Sequence, residues 1–330
     1  MLMRLVSYPY GNVRARALAA GLLREQQFAD LINSPTLAQA ERYLDRLPGF
    51  SGVTDESALH AHYVDFGRKI AGALPASASR LVNTYLSHNQ VENLKLLCRA
   101  ILTGRREFVK KTLLPEGPDK FVTEEMVAAG SLEKLATLLP PGPYRNLLRA
   151  ATSVAPEDRL FYLDSALERI FWSRLVERLA ELAFFDRQAA REILGMRADI
   201  DRFRVIGRGI HAGLPAETIL FALPPLGTLI PPRQVRKALA AADPPAACRQ
   251  LLTGATRAPF NERGGEVFLF RRLHRRLQKT LRSAPFDISV PLSALLLKEL
   301  EIRDLLAVLS GQRLGADGKE LTSLLSCRGG

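Results

Sequence analysis

Apolar side chains recur along this chain mostly at spacings of three to five residues, and they rarely alternate with polar ones over five or more positions. That period predicts helices, because residues three and four apart share a helix face, whereas strand residues share a face at every second position. The longest run lies beyond Pro156, where Leu160, Leu163, Leu167, Ile170, Leu175, Leu179 and Leu182 form one stripe. It predicts a single helix reaching about Phe185 and spanning roughly 45 Å. Asn12 to Ile32 reads as a first amphipathic segment, and Ser34-Pro35 as a start signal with Ser at the N-cap and Pro at the first helical position. Thr54 with Asp55 and Glu56 opens another helix, and His88 with Asn89 interrupts the pattern ahead of one that closes at Gly104. Farther on, Thr123-Glu-Glu opens a short helix and LPPGP at 139–143 is a rigid turn. Short helices are expected near 232–241 and 244–253, a basic one at 266–282, a longer one from Pro291 to Gly311, and a terminal one at 316–326.

An acid followed twelve positions later by glycine occurs three times within these stretches: Glu92 to Gly104, Asp201 to Gly213 and Glu299 to Gly311. An apolar residue (Ile101, Ile210, Val308) stands nine positions after each acid. An acid in an early turn suits the positive end of the helix dipole, and glycine just past the last turn suits a left-handed cap, so each unit reads as one bounded helix. A second register exists, in which Asp304 pairs with Asn93 and Gly315 with Gly104; it moves the third unit four positions, about one helical turn, and keeps the same face. Breaks at Pro115, Gly117 and Pro118 and at the proline-rich 223–232 then divide the chain into three helical repeat domains, 1–117, 118–227 and 228–330. In a body built by triplication the enclosed cavity or axis is where function is expected.

With 330 residues, 47% of them hydrophobic and 24% charged, the composition is that of a soluble globular protein. No apolar stretch approaches the roughly twenty residues that span a bilayer, and MLMRLVSYPYGN is too poor in apolar length for a secretory signal, so a cytoplasmic site is expected. Cys98, Cys248 and Cys327 are odd in number and far apart, which fits neither a disulfide framework nor a zinc site. A net charge of +12 implies acidic partners: nucleic acid, anionic lipid headgroups or an acidic protein face. The excess is densest in 267–282, where Leu269, Leu273, Leu277 and Leu281 form a stripe and Arg271, Arg272, Arg275, Arg276, Lys279 and Arg282 cover much of the rest. Such a helix either lies on a membrane surface or tracks phosphates with its basic side, or buries a leucine seam beneath a solvated basic face. Phe268 and Phe270 precede the basic run instead of interleaving it, which argues against base stacking along a single strand.

Catalytic signals are weak. Gly207, Gly209 and Gly213 give G-x-G-x-x-x-G where a dinucleotide fingerprint wants G-x-G-x-x-G in a βαβ unit, and the repeat aligns this segment with two helical ones. His60 and His62 flank an alanine, a spacing that puts the rings on different helix faces, and His88, His211 and His274 are isolated along the chain. Carboxylates sit four residues from Arg or Lys often enough to read as solvated helix faces. No catalytic, cofactor-binding or metal-ligating residue is assigned, and an enzyme is not expected.

Several segments together resemble the C subunit of the V/A-type rotary ATPases, a family that includes the d subunit of the eukaryotic V-ATPase. Tyr10, Arg14 and Arg16 look like its opening segment; Glu92, Asn93, Leu94, Leu96, Leu97, Arg99 and Gly104 are similar to its first repeat helix. Asp199, Asp201 and HAGLPAETI resemble its second, and Lys298, Glu299, Glu301 and Ile302 its third. Arg202 and Phe203 stand where the family has Asn-Leu or Asn-Ile, and Asp304 where it has Asn. The resemblance implies an all-α funnel of three similar domains about a pseudo-threefold axis. It also implies a coupler without an active site, which receives the foot of the D and F shaft in its cavity and rests on the membrane rotor ring. On that reading the protein is peripheral on the inner face of the membrane, its basic excess meets acidic loops or anionic lipid headgroups, and nucleic acid is not a partner. Two rivals are a helical adaptor that binds acidic protein or nucleic acid through 267–282 and an enzyme with a nucleotide site at Gly207.

Overall fold

The computed structural model describes residues 8–53, 55–116, 121–241, 244–252, 262–283 and 286–327. Among them every regular element is a helix. In order they are α1 (Pro9–Ala19), α2 (Glu25–Ile32), α3 (Leu37–Arg46), α4 (Glu56–Ala71), α5 (Ala76–Leu86), α6 (His88–Thr103), α7 (Val109–Thr112), α8 (Glu124–Val127) and α9 (Leu132–Leu138). They continue with α10 (Pro143–Ala151), α11 (Pro156–Ala180), α12 (Phe184–His211), α13 (Ala216–Ala222), α14 (Pro232–Leu239), α15 (Pro244–Leu251), α16 (Glu262–Arg282), α17 (Ser289–Arg313) and α18 (Gly318–Leu324). The Thr54 start signal, the break at Gly117-Pro118 and the first seven residues lie outside the described residues.

Several boundaries differ from the sequence expectation, each for a local reason. The first amphipathic segment is two helices, α1 and α2, separated by a turn at Gly21. Thr36, not Ser34, caps α3, its hydroxyl accepting from Gln39 N, so Pro35 precedes the helix. His88 and Asn89 do not interrupt a helix; they open α6, which is parted from α5 by Ser87 alone. The leucine stripe beyond Pro156 spans a corner: α11 stops at Ala180, and Leu182 is buried in the turn before α12. Periodicity carries across the corner because the apolar positions on both sides face the same interior.

Positive φ values at Gly104 (72°), Gly213 (66°) and Gly315 (75°) place a left-handed residue just past α6, α12 and α17. Gly311 is not such a cap. It lies inside α17, where a Cβ would collide with the side chain of Leu321 on α18, so its role is close packing. The third unit therefore follows the shifted register, with Gly315 and Asp304 matching Gly104 and Asn93.

Helix packing forms a closed circuit. α4 packs on α5, α5 on α11, α11 on α12, α12 on α16, α16 on α17, and α17 on α4 and α1, so the end of the chain seals against its beginning. Apolar faces drive each contact. On α16, for example, Leu269, Leu273 and Leu277 are buried against α12 and α17, each contributing roughly 1.5–3 kcal/mol. The leucine seam under a basic face is thus the arrangement observed for 267–282.

Replacing Gly104, Gly213 or Gly315 by alanine forces an L-residue into the left-handed region and should lower unfolding stability by about 1 kcal/mol each. Urea midpoints check this, and an unchanged midpoint at all three would contradict the assignment of these glycines as caps.

Candidate functional site: a charged face shared by three helices

Counting back from each left-handed glycine, the same offsets on α6, α12 and α17 carry residues that face a common interior. His88, Arg197 and Glu299 stand sixteen positions before it; Glu92, Asp201 and Arg303 twelve; Lys95, Arg204 and Leu306 nine. Arg99 and Arg208 stand five before it. Steps of four, three and four residues keep one helix face, so each helix presents a continuous stripe, roughly 16 Å long on α6. The stripes line two adjoining cavities of about 370 and 360 Å³.

Two sets of contacts within the face join residues at equal offsets: Arg197 with Glu299, and Arg99 with Arg208 through Asp164. Arg197 Nε donates to Glu299 Oε1 at 2.9 Å, and its Nη1 meets Asp201 Oδ1 at 2.8 Å. Lower down, Arg204 and Arg303 flank the Phe270 ring, with guanidinium carbons 5.5 and 4.0 Å from its centroid. Two pairs met in the same order along both chains set α12 and α17 side by side and parallel. Asp164 on α11 likewise receives Arg99 at 3.1 Å and Arg208 at 3.6 Å, joining α6 to α12 at one level.

Six carboxylates (Glu92, Asp164, Glu168, Asp201, Glu266, Glu299) oppose six basic groups (Lys95, Arg99, Arg197, Arg204, Arg208, Arg303) around these cavities. The charge around these cavities is close to balanced. Burial opposes ionisation of Arg197, yet Asp201 and Glu299 outweigh it and hold its pKa well above the usual guanidinium value. Burial also opposes ionisation of Glu168, but Lys95 and His88 win and keep the carboxyl well below the usual range. Tyr85 donates its hydroxyl to Glu299, and Trp172 Nε1 donates to Asp201 at 3.2 Å. The pairing is therefore backed by hydrogen bonds from neutral groups, which buried charges require.

His88, Glu92 and Glu168 bring one ligand atom each to within 4.8 Å of one another. The positive charge such a trio calls for is supplied by Lys95, which donates to Glu92 at 2.8 Å and to Glu168. His88 is isolated only along the chain; its Nε2 lies 3.0 Å from Glu168 and 3.6 Å from Glu92.

A second function of the repeat helices sits eleven positions before each glycine, on the side away from the shared face. Asn93 donates to Leu114 O at 2.9 Å and accepts from Leu114 N at 2.7 Å, clasping the segment that follows α7. Asp304 can only accept, and does so from Ser326 N at 2.9 Å, Ser326 Oγ at 2.7 Å and Cys327 N at 3.3 Å. Arg202 can only donate, reaching Pro224 O at 3.3 Å and Leu226 O at 3.4 Å. The acceptor missing there is provided one turn earlier by Asp199, which takes Thr228 N at 2.7 Å together with Leu229 N and Ile230 N. The departures from Asn at Arg202 and Asp304 thus keep the task of holding the return segment while dividing it differently.

Of the residues singled out in the sequence, Glu92, Arg99, Asp201 and Glu299 line the shared face, but Glu299 lies one turn from the level of Glu92 and Asp201. None is a capping acid: Asp201 lies deep within α12. Gly213 ends its helix, and Gly311 does not. Glu301 is buried with Lys298 and accepts from Leu23 N, tying α17 to the chain just before α2. In the basic helix Arg271 is spent on Ser323 O and Leu325 O at 2.9 and 3.0 Å, and Arg276 on Glu192 at 2.8 Å. Arg272, Arg275, Lys279 and Arg282 remain exposed or half-exposed. Gly207 and Gly209 are helical; a Cβ on Gly209 would strike Ile219 at 2.6 Å and Gly213 is the left-handed cap, so close packing and capping account for two of the three glycines that mimic a nucleotide fingerprint.

His88, Lys95, Asp164, Glu168, Arg197, Arg204, Glu266 and Arg303 do not stand out as site residues in the sequence alone. The signal for the helix residues is present as charges at helical spacing fixed relative to each glycine, but buried pairs and solvated pairs share that spacing. Asp164, Glu168, Asp199, Asp201 and Asp304 are all buried, so these carboxylates do not form solvated faces.

A helical body whose repeated helices meet through charge pairs at matched levels is of the scaffold class. The family model of the ATP synthase (C/AC39) subunit matches residues 11–323. The chain belongs to this family, a non-catalytic subunit of rotary ATPases. It is similar to the C subunit of the A-type ATP synthase of Methanothermobacter thermautotrophicus, with 23% identity over 330 residues covering 94% of this chain and 86% of that protein. The subunit of the same name from Thermococcus gammatolerans is 26% identical over 341 residues, covering 97% and 89%. A third, from Methanosphaera stadtmanae, is 26% identical over 214 residues, 63% of this chain and only 55% of that protein. Among the described residues no helix is long and apolar enough to cross a membrane.

Burial opposes a charge on His88, but Glu168 and Glu92 outweigh it and raise its pKa above the ordinary 6.5. A raised folded-state pKa stabilises fully below the unfolded value and ceases to do so as pH climbs through the folded one. His88→Gln should therefore cost about 1–3 kcal/mol below that value, with the deficit shrinking toward alkaline pH. Melting curves of both proteins across pH check this; a deficit that is flat or grows with pH would contradict the pairing.

Proposed function

We propose that this protein couples a rotating shaft to the membrane ring of its ATPase, transmitting torque without chemistry of its own. The observation that carries the reading is the charged face to which three helices contribute equal levels, enclosed by a helix circuit that joins the chain's two ends. A coupler must resist shear, and paired charges in a poorly solvated interior oppose relative sliding of the helices that bear them. In this reading the body divides at 117/118 and 227/228 into three domains about the polar axis, as a funnel whose wide end takes the D and F shaft. Arg272, Arg275, Lys279 and Arg282 then form a strip for acidic ring loops or anionic headgroups. The protein is peripheral on the cytoplasmic side of the membrane.

An ATPase assembled without this protein should retain nucleotide hydrolysis by its soluble head while ion pumping into vesicles falls to background. Retained pumping in a complex proven by mass analysis to lack it would overturn the coupling role. The isolated chain should also bind the purified D–F shaft with a Kd of about micromolar or better.

A further inference from the structure

Away from the charged face, a cleft of about 580 Å³ opens between the α5–α6 corner and the α10–α11 pair. Among the described residues no carboxylate lines it, whereas Arg80, Arg174 and Arg178 all do. Glu181, outside the lining, holds Arg80 Nε at 2.9 Å and pairs with Arg178, which steadies two guanidinium groups. Each has five N–H donors, so most remain for a ligand. Arg174 forms no ion pair with a described residue; its guanidinium carbon stands 6.0 Å from the centroid of Tyr144.

Two further features converge on the same volume. Helix α10 begins at the cleft, with Gly142 as N-cap and Pro143 and Tyr144 in its first turn, and no side chain caps it. The positive end of its dipole and the N–H groups of Tyr144 and Arg145 add to the arginines, Pro143 having none. Phe121 and Tyr144 meet edge to face, 6.1 Å between centroids at 65°, as an aromatic wall. Guanidinium forks and a helix start match phosphoryl oxygens, whose charge is denser than that of a single carboxylate.

We propose that this cleft binds a phosphoryl-bearing anion, with the aromatic wall available to the base when the anion is a nucleotide. An occupant bonded to Arg80 on α5 and to Arg174 and Arg178 on α11 would bridge two successive helices of the packing circuit. The site is separate from the charged face, so it stands or falls independently of the coupling role.

Isothermal titration of the full chain with ATP, ADP and pyrophosphate tests it. Binding is expected, and Arg174→Ala and Arg178→Ala should each weaken it about tenfold or more. A variant carrying Arg42→Ala and Arg46→Ala, which removes charge from the exposed side of α3, should bind as the wild type does. Tighter binding of ATP and ADP than of pyrophosphate assigns the source as a nucleotide; equal binding assigns it as inorganic phosphate. The proposal is overturned if none of the three binds at about millimolar concentration, or if the α3 variant loses as much affinity as Arg174→Ala. It is equally overturned if polyglutamate binds in an Arg174-dependent way and the phosphates do not.

Discussion

The arrangement depends on charges that have left water together. Arg197 with Asp201 and Glu299, and Lys95 with Glu168, do so, while the buried Asp164 meets the exposed guanidinium groups of Arg99 and Arg208; together they hold helices far apart in sequence at matched heights. Leucine faces pull the same helices together, but apolar attraction is non-directional and specifies axial position only through packing detail. An ion pair in a poorly solvated interior has one good geometry. Removing one member leaves a charge without compensation, at a cost of about 3–5 kcal/mol.

The same reasoning explains how the three repeat helices can differ so much in sequence and remain alike in structure. What must persist is a partner at each level, not a residue type. His88, Arg197 and Glu299 occupy one level with a weak base, a strong base and an acid, and each finds its complement from another element. At the clasp position Asn93, Arg202 and Asp304 share only the ability to hold backbone groups. A repeat built on pairing rather than identity leaves little for sequence comparison to align.

That is also why the sequence is legible in one respect and opaque in another. Helix content follows from the period of the leucines, and Gly104 and Gly213 mark helix ends because a left-handed residue after the last turn is a strong local demand. Gly311 misleads, since glycine also answers a need for close approach, here to Leu321, and only the backbone separates the two uses. The corner between α11 and α12 is invisible because its apolar residues stay in phase. Hidden most completely is the charged face: Glu92, Lys95 and Arg99 have the spacing of a solvated helix surface, and nothing local says that Lys95 is buried against Glu168 of α11 while Arg99 stays exposed.

In the coupling role proposed above, stiffness is what would link this interior to the transmission of torque. Torque passed through helices joined by apolar contact alone would be spent in part on sliding, whereas matched ion pairs resist displacement along the axis. The most direct test of this account is a double-mutant cycle on Arg197→Met and Glu299→Gln, read from unfolding free energies. Two helices locked at one level predict a coupling energy of about 2 kcal/mol, whereas single effects that add to within about 0.5 kcal/mol would contradict it.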